Sequence, residues 1–196
     1  VTHPAIHLAS GSPRRKLLIE QMGLTCQVVR IQAEEPMDQS RHAADLAIDL
    51  SELKMKACLD QKPELAKYAW ILTADTLIAL DDEKIGKPDD RQQARKILSR
   101  LQGRTHQVIS AFSVYSPLSK TFISDLESTD VTFSSMDQME IESYLDTKEW
   151  QGVAGAYRIQ GCGGKYVSSL NGTFYNVMGL PINRFYAILR LLNFSN

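Results

Sequence analysis

The stretch from Leu8 to Leu18, LASGSPRRKLL, restricts the fold of this chain more than any other. An apolar run ends there, a Ser-Gly-Ser-Pro turn follows, and helical periodicity begins with two adjacent arginines. His7, Leu8 and Ala9 can finish a buried strand. Pro13 has its φ preset for the first helical position, where its missing N–H is not needed. Leu17, Leu18 and Met22 then share a helical face at the spacing that packs on a core. The free N–H groups of a first helical turn, with the partial positive charge there, form a seat for an anion. Ser10 and Ser12 add hydroxyl donors, Gly11 permits close backbone approach, and Arg14 and Arg15 add fixed charge. Ser-Pro at a helix start is also ordinary capping chemistry, and paired arginines are often simply solvated. No Gly-Lys-Ser/Thr follows, and there is no GxGxxG. Locally, the residues define an anion seat and no more.

With 196 residues, 43% hydrophobic and 23% charged, the expectation is a single globular domain over residues 1–196. A formal net charge of −1 predicts no general attraction to nucleic acid or to a membrane surface. Any cationic patch must therefore be local. The longest apolar runs, such as Trp70-Ile71-Leu72, are too short to span a bilayer. Val1 to Ile6 lacks the basic and apolar regions of a secretory signal. Cys26, Cys58 and Cys162 are odd in number and include no CxxC pair, which argues against a disulfide frame or zinc knuckle. Cytoplasmic thiols are the expectation.

Strand patterns at Cys26 to Ile31, Trp70 to Ala74 (continuing extended from Thr76 to Leu80), Thr105 to Tyr115, Thr121 to Phe133 and Tyr166 to Leu170 interleave with helical ones. Helices are predicted over Ala43 to Leu59, Arg91 to Leu101 and Asn183 to Leu192. The class is α/β or α+β with a mixed sheet. On the first of these helices Ala43, Ala47, Leu50, Leu53 and Ala57 define the apolar face, and Ser135 and Gln138 have capping-box spacing before another helix. Asp75 stands at the end of the strand Trp70 to Ala74, where sheet proteins commonly place a reacting group. It could bind a divalent cation or take a proton from water, and Lys87 follows close by. Glu34 and Glu35 could add a metal ligand, or could be solvated surface. Lys54 and Lys56 sit on the apolar-faced helix, where snorkelling is the usual explanation. Arg104 and His106 read as an exposed pair without function. In the glycine-rich run around Tyr157, Gln160 can bond a nucleobase edge through both its carbonyl and its amide.

Four pieces in order carry a resemblance to the Maf family of nucleoside triphosphate pyrophosphatases, over nearly the whole chain. They are LASGSPRRKLL, ADT at Ala74 to Thr76 with GKP at Gly86 to Pro88, AGAYRIQG at Ala154 to Gly161, and NGTFYNVMGLP at Asn171 to Pro181. The resemblance implies an α/β, inosine-triphosphatase-like fold: an elongated mixed sheet, flanking helices and a cleft between two lobes. It also implies a metal-dependent reaction that turns a nucleoside triphosphate into monophosphate and pyrophosphate, and a homodimer. Oxygen ligands without a Cys/His cluster point to magnesium or manganese over zinc.

Carried over residue by residue, the general base falls on Asp75, and phosphate contacts fall on Ser10, Arg14 and Arg15. The acidic metal ligand matches Glu34, with Glu35 as an adjacent rival. The helix lysine matches Lys56, with Lys54 the alternative, and the lysine before the proline matches Lys87. The dTTP/UTP branch has Arg, Thr and Gln at specificity positions corresponding to Arg14, Thr76 and Gln160. The 7-methyl-GTP branch usually has a bulky aromatic in place of Arg14. The implied function is therefore hydrolysis of dTTP, UTP and modified pyrimidine nucleotides. The alternatives are the same reaction on 7-methyl-GTP or another base, and a nucleotide-binding regulator of septum formation. The chain departs from the family pattern at Val153, where a lysine is frequent, at Arg158, where a small residue is more common, and at Glu149 to Gly152.

Overall fold

The computed structural model describes residues 4–34, 36–81 and 83–194, so Glu35 lies outside the described residues. The chain runs β1 (Ile6–Leu8), α1 (Pro13–Gln21), β2 (Cys26–Val28), α2 (Ala43–Gln61), β3 (Trp70–Leu80), β4 (Glu83–Ile85), α3 (Arg91–Leu101), β5 (Thr105–Ser116) and β6 (Thr121–Phe133). It continues through α4 (Gln138–Asp146), β7 (Val167–Asn171), α5 (Phe174–Met178) and α6 (Ile182–Leu191). The strands form one mixed sheet of seven, in the order β2-β1-β3-β5-β6-β7, with β4 also on β3.

The sheet creates an opening beside β3. One edge of β3 is covered by antiparallel β5 from Ile71 to Ala79. On the other edge, parallel β1 pairs with Trp70, Ile71 and Leu72, and antiparallel β4 pairs with Ile78, Ala79 and Leu80. Residues 73–77 therefore have no strand beside them on that edge among the described residues. Asp75 lies in this gap, midway along β3, which corrects its expected place at a strand end. The apolar run does not stop at Asp75. It continues to Leu80, and what ends nearby is the neighbouring strand β1.

Strand alternation decides what each β3 side chain meets. Leu72, Ala74, Ile78 and Leu80 enter the larger core, with Phe112, Tyr144 and Phe185. Ile71, Leu77 and Ala79 belong to two smaller clusters that also contain Met55, Cys58, Leu46 and Leu50 of α2. The odd-numbered residues of β3, Asp75 included, thus face α2. The buried stripe of α2 is Leu46, Ala47, Leu50, Ser51, Lys54, Met55 and Cys58. It is rotated from the expected face, leaving Leu53 exposed. Lys54 falls within the stripe and Lys56 outside it.

Other expectations also shift. In α1 the buried apolar residues are Leu18 and Ile19, while Leu17 is exposed and Arg15 is buried. The capping box of α4 is Asp137 with Glu140, two residues later than Ser135 and Gln138. His106 is buried rather than exposed, with Nε2 2.8 Å from the Tyr157 hydroxyl. All three cysteines are free thiols. No described helix is long and apolar enough to cross a membrane.

Candidate active site

The gap beside β3 opens into a cavity of about 520 Å³. Ser10, Ser12, Arg14, Arg15, Asp75, Thr76, Lys87 and Gln160 all line it, so the structure brings together eight of the ten residues expected there. Its cationic side chains are Arg14, Arg15, Lys54, Lys87 and Arg158, and its one described carboxylate is Asp75. A chain of nearly balanced charge thus concentrates positive charge in one cleft.

Lys54 and Asp75 form the innermost pair. Lys54 Nζ donates to Asp75 Oδ1 at 2.5 Å, and the two residues are 8% and 7% exposed. Their meeting follows from two periods, the helical one that puts Lys54 on the sheet side of α2 and the strand alternation that turns Asp75 toward α2. Thr73, two residues earlier on β3, is fixed to the same helix through a bond from its hydroxyl to the Ser51 carbonyl. Asp75 Oδ2 has no hydrogen bond to a described residue, so one carboxylate oxygen remains for a ligand.

Arg15 anchors the opposite face of β3. It donates from Nε to the Gly179 carbonyl at 2.9 Å, from Nη1 to Ser10 Oγ at 2.9 Å and from Nη2 to Thr76 Oγ1 at 3.0 Å. Thr76 in turn lies 2.9 Å from Ser110 Oγ, and the Ser110 hydroxyl donates to the Asn176 carbonyl at 2.8 Å. That order makes Thr76 accept from Arg15 and donate to Ser110, so every member of the chain is satisfied. Gly179 ends α5 at φ 112°, and a Cβ there would lie 3.3 Å from Thr76 Oγ1 and 3.6 Å from Arg15 Nε. Glycine is what allows the turn and the arginine to share this space.

Helix α1 begins at Ser12 without a side-chain cap, and Ser12, Pro13 and Arg14 line the cavity. Its first-turn N–H groups are therefore available to a ligand. Ser10 Oγ accepts from the Ser12 backbone at 3.3 Å as well as from Arg15, leaving its own hydrogen to donate. Gly11 faces open space, with nothing within 4 Å of a Cβ placed on it. Arg14 donates from Nε to the Met178 carbonyl at 3.3 Å. Burial, and then the nearby Arg158 guanidinium, push the Arg14 pKa down. Lys87 and Gln160 are exposed on the rim, without hydrogen bonds to described residues.

Two expected residues are elsewhere. Lys56 is exposed on the outward side of α2, beside Asp49, Glu52 and Leu53, and Lys54 occupies the cavity instead. Two residues along a helix is a rotation of about 200°, so both lysines cannot face the sheet. Glu34 is exposed and does not line the cavity, although Ala33 beside it does. No group of three His, Cys, Asp or Glu side chains able to hold a metal occurs among the described residues. Magnesium-like ions, however, commonly bind through one or two carboxylates plus substrate phosphates rather than in an all-protein cage. Asp75 supplies such a carboxylate. The donor set fits a cation that arrives with a polyphosphate.

The segment that carries Gln160 is held by features that composition does not display. Gly155 has φ 71°, and a Cβ on it would come within 2.3 Å of Ile78 Cδ1, so only glycine lets this turn lie against β3. Tyr157, beneath the cavity, rests on His106, and the Tyr144 hydroxyl accepts from the Arg158 backbone N–H at 3.1 Å. Burial lowers the His106 pKa to about 4 and raises those of Tyr144 and Tyr157.

A seven-stranded mixed sheet with a cation-rich cavity at an unpaired stretch of strand describes a protein built to hold a polyanion. Residues 5–192 match the family model described as "Maf-like protein", and the chain belongs to that family. A dTTP/UTP pyrophosphatase of Bdellovibrio bacteriovorus is 39% identical over 92% of this chain and 94% of its own. A protein of the same name from Escherichia coli K12 is 36% identical over 96% of this chain and 93% of its own. Among solved structures, a nucleoside-triphosphatase / dITP/XTP pyrophosphatase of Mycobacterium abscessus aligns with a TM-score of 0.41 at 12% identity, covering 96% of this chain and 94% of that one.

Proposed function

We propose that this protein hydrolyses dTTP and UTP to the monophosphate and pyrophosphate, with Asp75 as general base, in the cytoplasm. The observation that carries this reading is the buried Lys54–Asp75 pair in a cavity that also holds Arg14, Arg15, Lys87 and the uncapped start of α1. The names of the relatives support the choice of substrate.

Lys54 holds Asp75 Oδ1 and leaves Oδ2 to accept a proton from water. The water oxygen bonds to the α-phosphorus, the bridging oxygen to the β-phosphorus departs, and pyrophosphate leaves. Arg14 and the α1 amides receive its charge from fixed positions, the arrangement that stabilises a transition state most effectively, and Lys87 settles on it from the rim. Asp75, together with phosphate oxygens of the substrate, would hold a divalent cation, which would supply further neutralisation of the phosphoryl charge. Arg15, fixed by the Gly179 carbonyl, orients Ser10 and Thr76 around the tail. On the rim, the Gln160 amide offers an acceptor and a donor together, which match the N3–H and O4 of thymine or uracil.

A panel of dTTP, UTP, dCTP, dATP, GTP and 7-methyl-GTP, assayed with magnesium or manganese and with products identified, tests this assignment. The expected result is pyrophosphate and monophosphate, fastest from dTTP and UTP. Release of single phosphate overturns the bond of cleavage, and a preference for 7-methyl-GTP overturns the substrate.

A further inference from the structure

Arg158 stands apart from the machinery described so far. It lines the cavity on the short segment that ends with Gln160, near enough to Arg14 at the start of α1 for the two charges to interact. Its backbone N–H is held by the Tyr144 hydroxyl, and Nη2 donates to the Gln151 carbonyl at 3.3 Å. Its Nε is buried and has no hydrogen-bond partner among the described residues. No described carboxylate forms an ion pair with it or with Arg14.

Two guanidiniums near each other in one cleft repel, and burial makes that repulsion harder to screen. An anion placed against both relieves it. The same anion gives the orphaned Nε an acceptor, since a buried donor without one is costly to keep. The nearby donors favour a phosphate over a base: Arg14 is the second helical residue of α1, next to the free first-turn amides and the Ser10 hydroxyl. Arginine is also the side chain whose planar donor fork fits phosphate oxygens in pairs.

We propose that Arg158 is a phosphate-positioning residue which, with Arg14, clamps the polyphosphate tail of the substrate from the side of the cleft that carries Gln160. This rests on the triphosphate reading above and adds a named contact to it. The clamp joins the segment that selects the base to the helix start that holds the phosphates.

Calorimetric titration of inorganic pyrophosphate and, separately, of thymidine into the wild type, Arg158→Gln and Arg158→Lys proteins tests the clamp. The expected result for Arg158→Gln is about a tenfold weaker grip on pyrophosphate, as for loss of one charge-assisted bond, with thymidine binding unchanged. Arg158→Lys, which keeps the charge but not the planar fork, should recover part of the loss. Equal pyrophosphate affinity in wild type and Arg158→Gln overturns the proposal. So does a weakening confined to thymidine, which marks a base contact, or one shared by both probes and not restored by lysine, which marks a structural side chain. Pyrophosphate binding that depends on Arg158 in a protein that cleaves no nucleoside triphosphate leaves the clamp standing and removes the hydrolase reading.

Discussion

The inner wall of the cleft and its outer rim are built on different terms. On the wall, Arg15, Lys54 and Asp75 are less than a tenth exposed, and each has a protein partner before any ligand arrives. On the rim, Lys87 and Gln160 are exposed and make no hydrogen bond to a described residue. Folding has already ordered the wall, whereas binding must order the rim and spend side-chain entropy to do so. Groups fixed in advance suit the chemical step, since they need not reorganise as charge develops. Groups that settle on the ligand suit recognition. Changes in the wall should therefore strike turnover and stability, and changes on the rim should strike discrimination.

Asp75→Asn is the hardest test of that division. It keeps the size of the side chain but removes the base, so turnover should fall roughly 10²–10⁴-fold with the fold intact. Near-native turnover in a folded Asp75→Asn protein would falsify the general-base role. Lys54→Met leaves the buried carboxylate without its cation and should cost about 3–5 kcal/mol in stability by urea denaturation. In the double variant, Lys54→Met with Asp75→Asn, much of that loss should return because the buried carboxylate is no longer there to be stranded. Independent, additive losses would show that the pair is not coupled.

The packing behind the cleft sets a pH limit of its own. Burial holds the His106 pKa at about 4, against 6.5 for an ordinary histidine. Between these values the unfolded chain takes up a proton that the folded chain refuses, so stability falls as pH drops from 6.5 toward 4. The full contribution is on the order of 3 kcal/mol. Denaturation midpoints of wild type and His106→Gln should diverge at pH 7 and converge near pH 4.5. Parallel pH profiles would show that His106 does not titrate across this window.

Legibility divides along a different line. The turn from β1 into α1 was readable because proline, glycine and serine impose local geometry, and α3 appears at its predicted limits because its apolar spacing and the Asp90 cap agree. Asp75 was found, but its setting was not, since the gap beside it depends on where β1 and β4 stop pairing. Lys54 was passed over for Lys56 although the sequence holds a usable signal: Leu46, Leu50, Lys54 and Cys58 recur every fourth residue. A cation in that stripe is explained only by its partner across the sheet, and no local pattern names a partner. His106 reads as exposed, and Arg158 as no more than a departure from the family pattern, for the same reason: tertiary contacts place them, His106 against Tyr157 and Arg158 against Tyr144.

On the rim the effect should be smaller and more selective. Gln160→Ala removes a neutral, exposed contact, so the loss of kcat/KM should be about tenfold for dTTP and UTP and less for dCTP. A uniform fall across all triphosphates would instead make Gln160 part of the frame that the wall already supplies.

The smallest expected effect separates the two lysines of α2. Lys56 points away from the sheet and lies among Asp49 and Glu52 on an exposed surface, where charge is strongly screened. Lys56→Met should leave turnover within about twofold and stability within about 0.5 kcal/mol. Set beside Lys54→Met on the same helix, it holds residue type, substitution and helix constant and changes only the face. If Lys56→Met lowers turnover as far as Lys54→Met does, burial in this cleft is not what selects the working lysine, and the division between wall and surface fails with it.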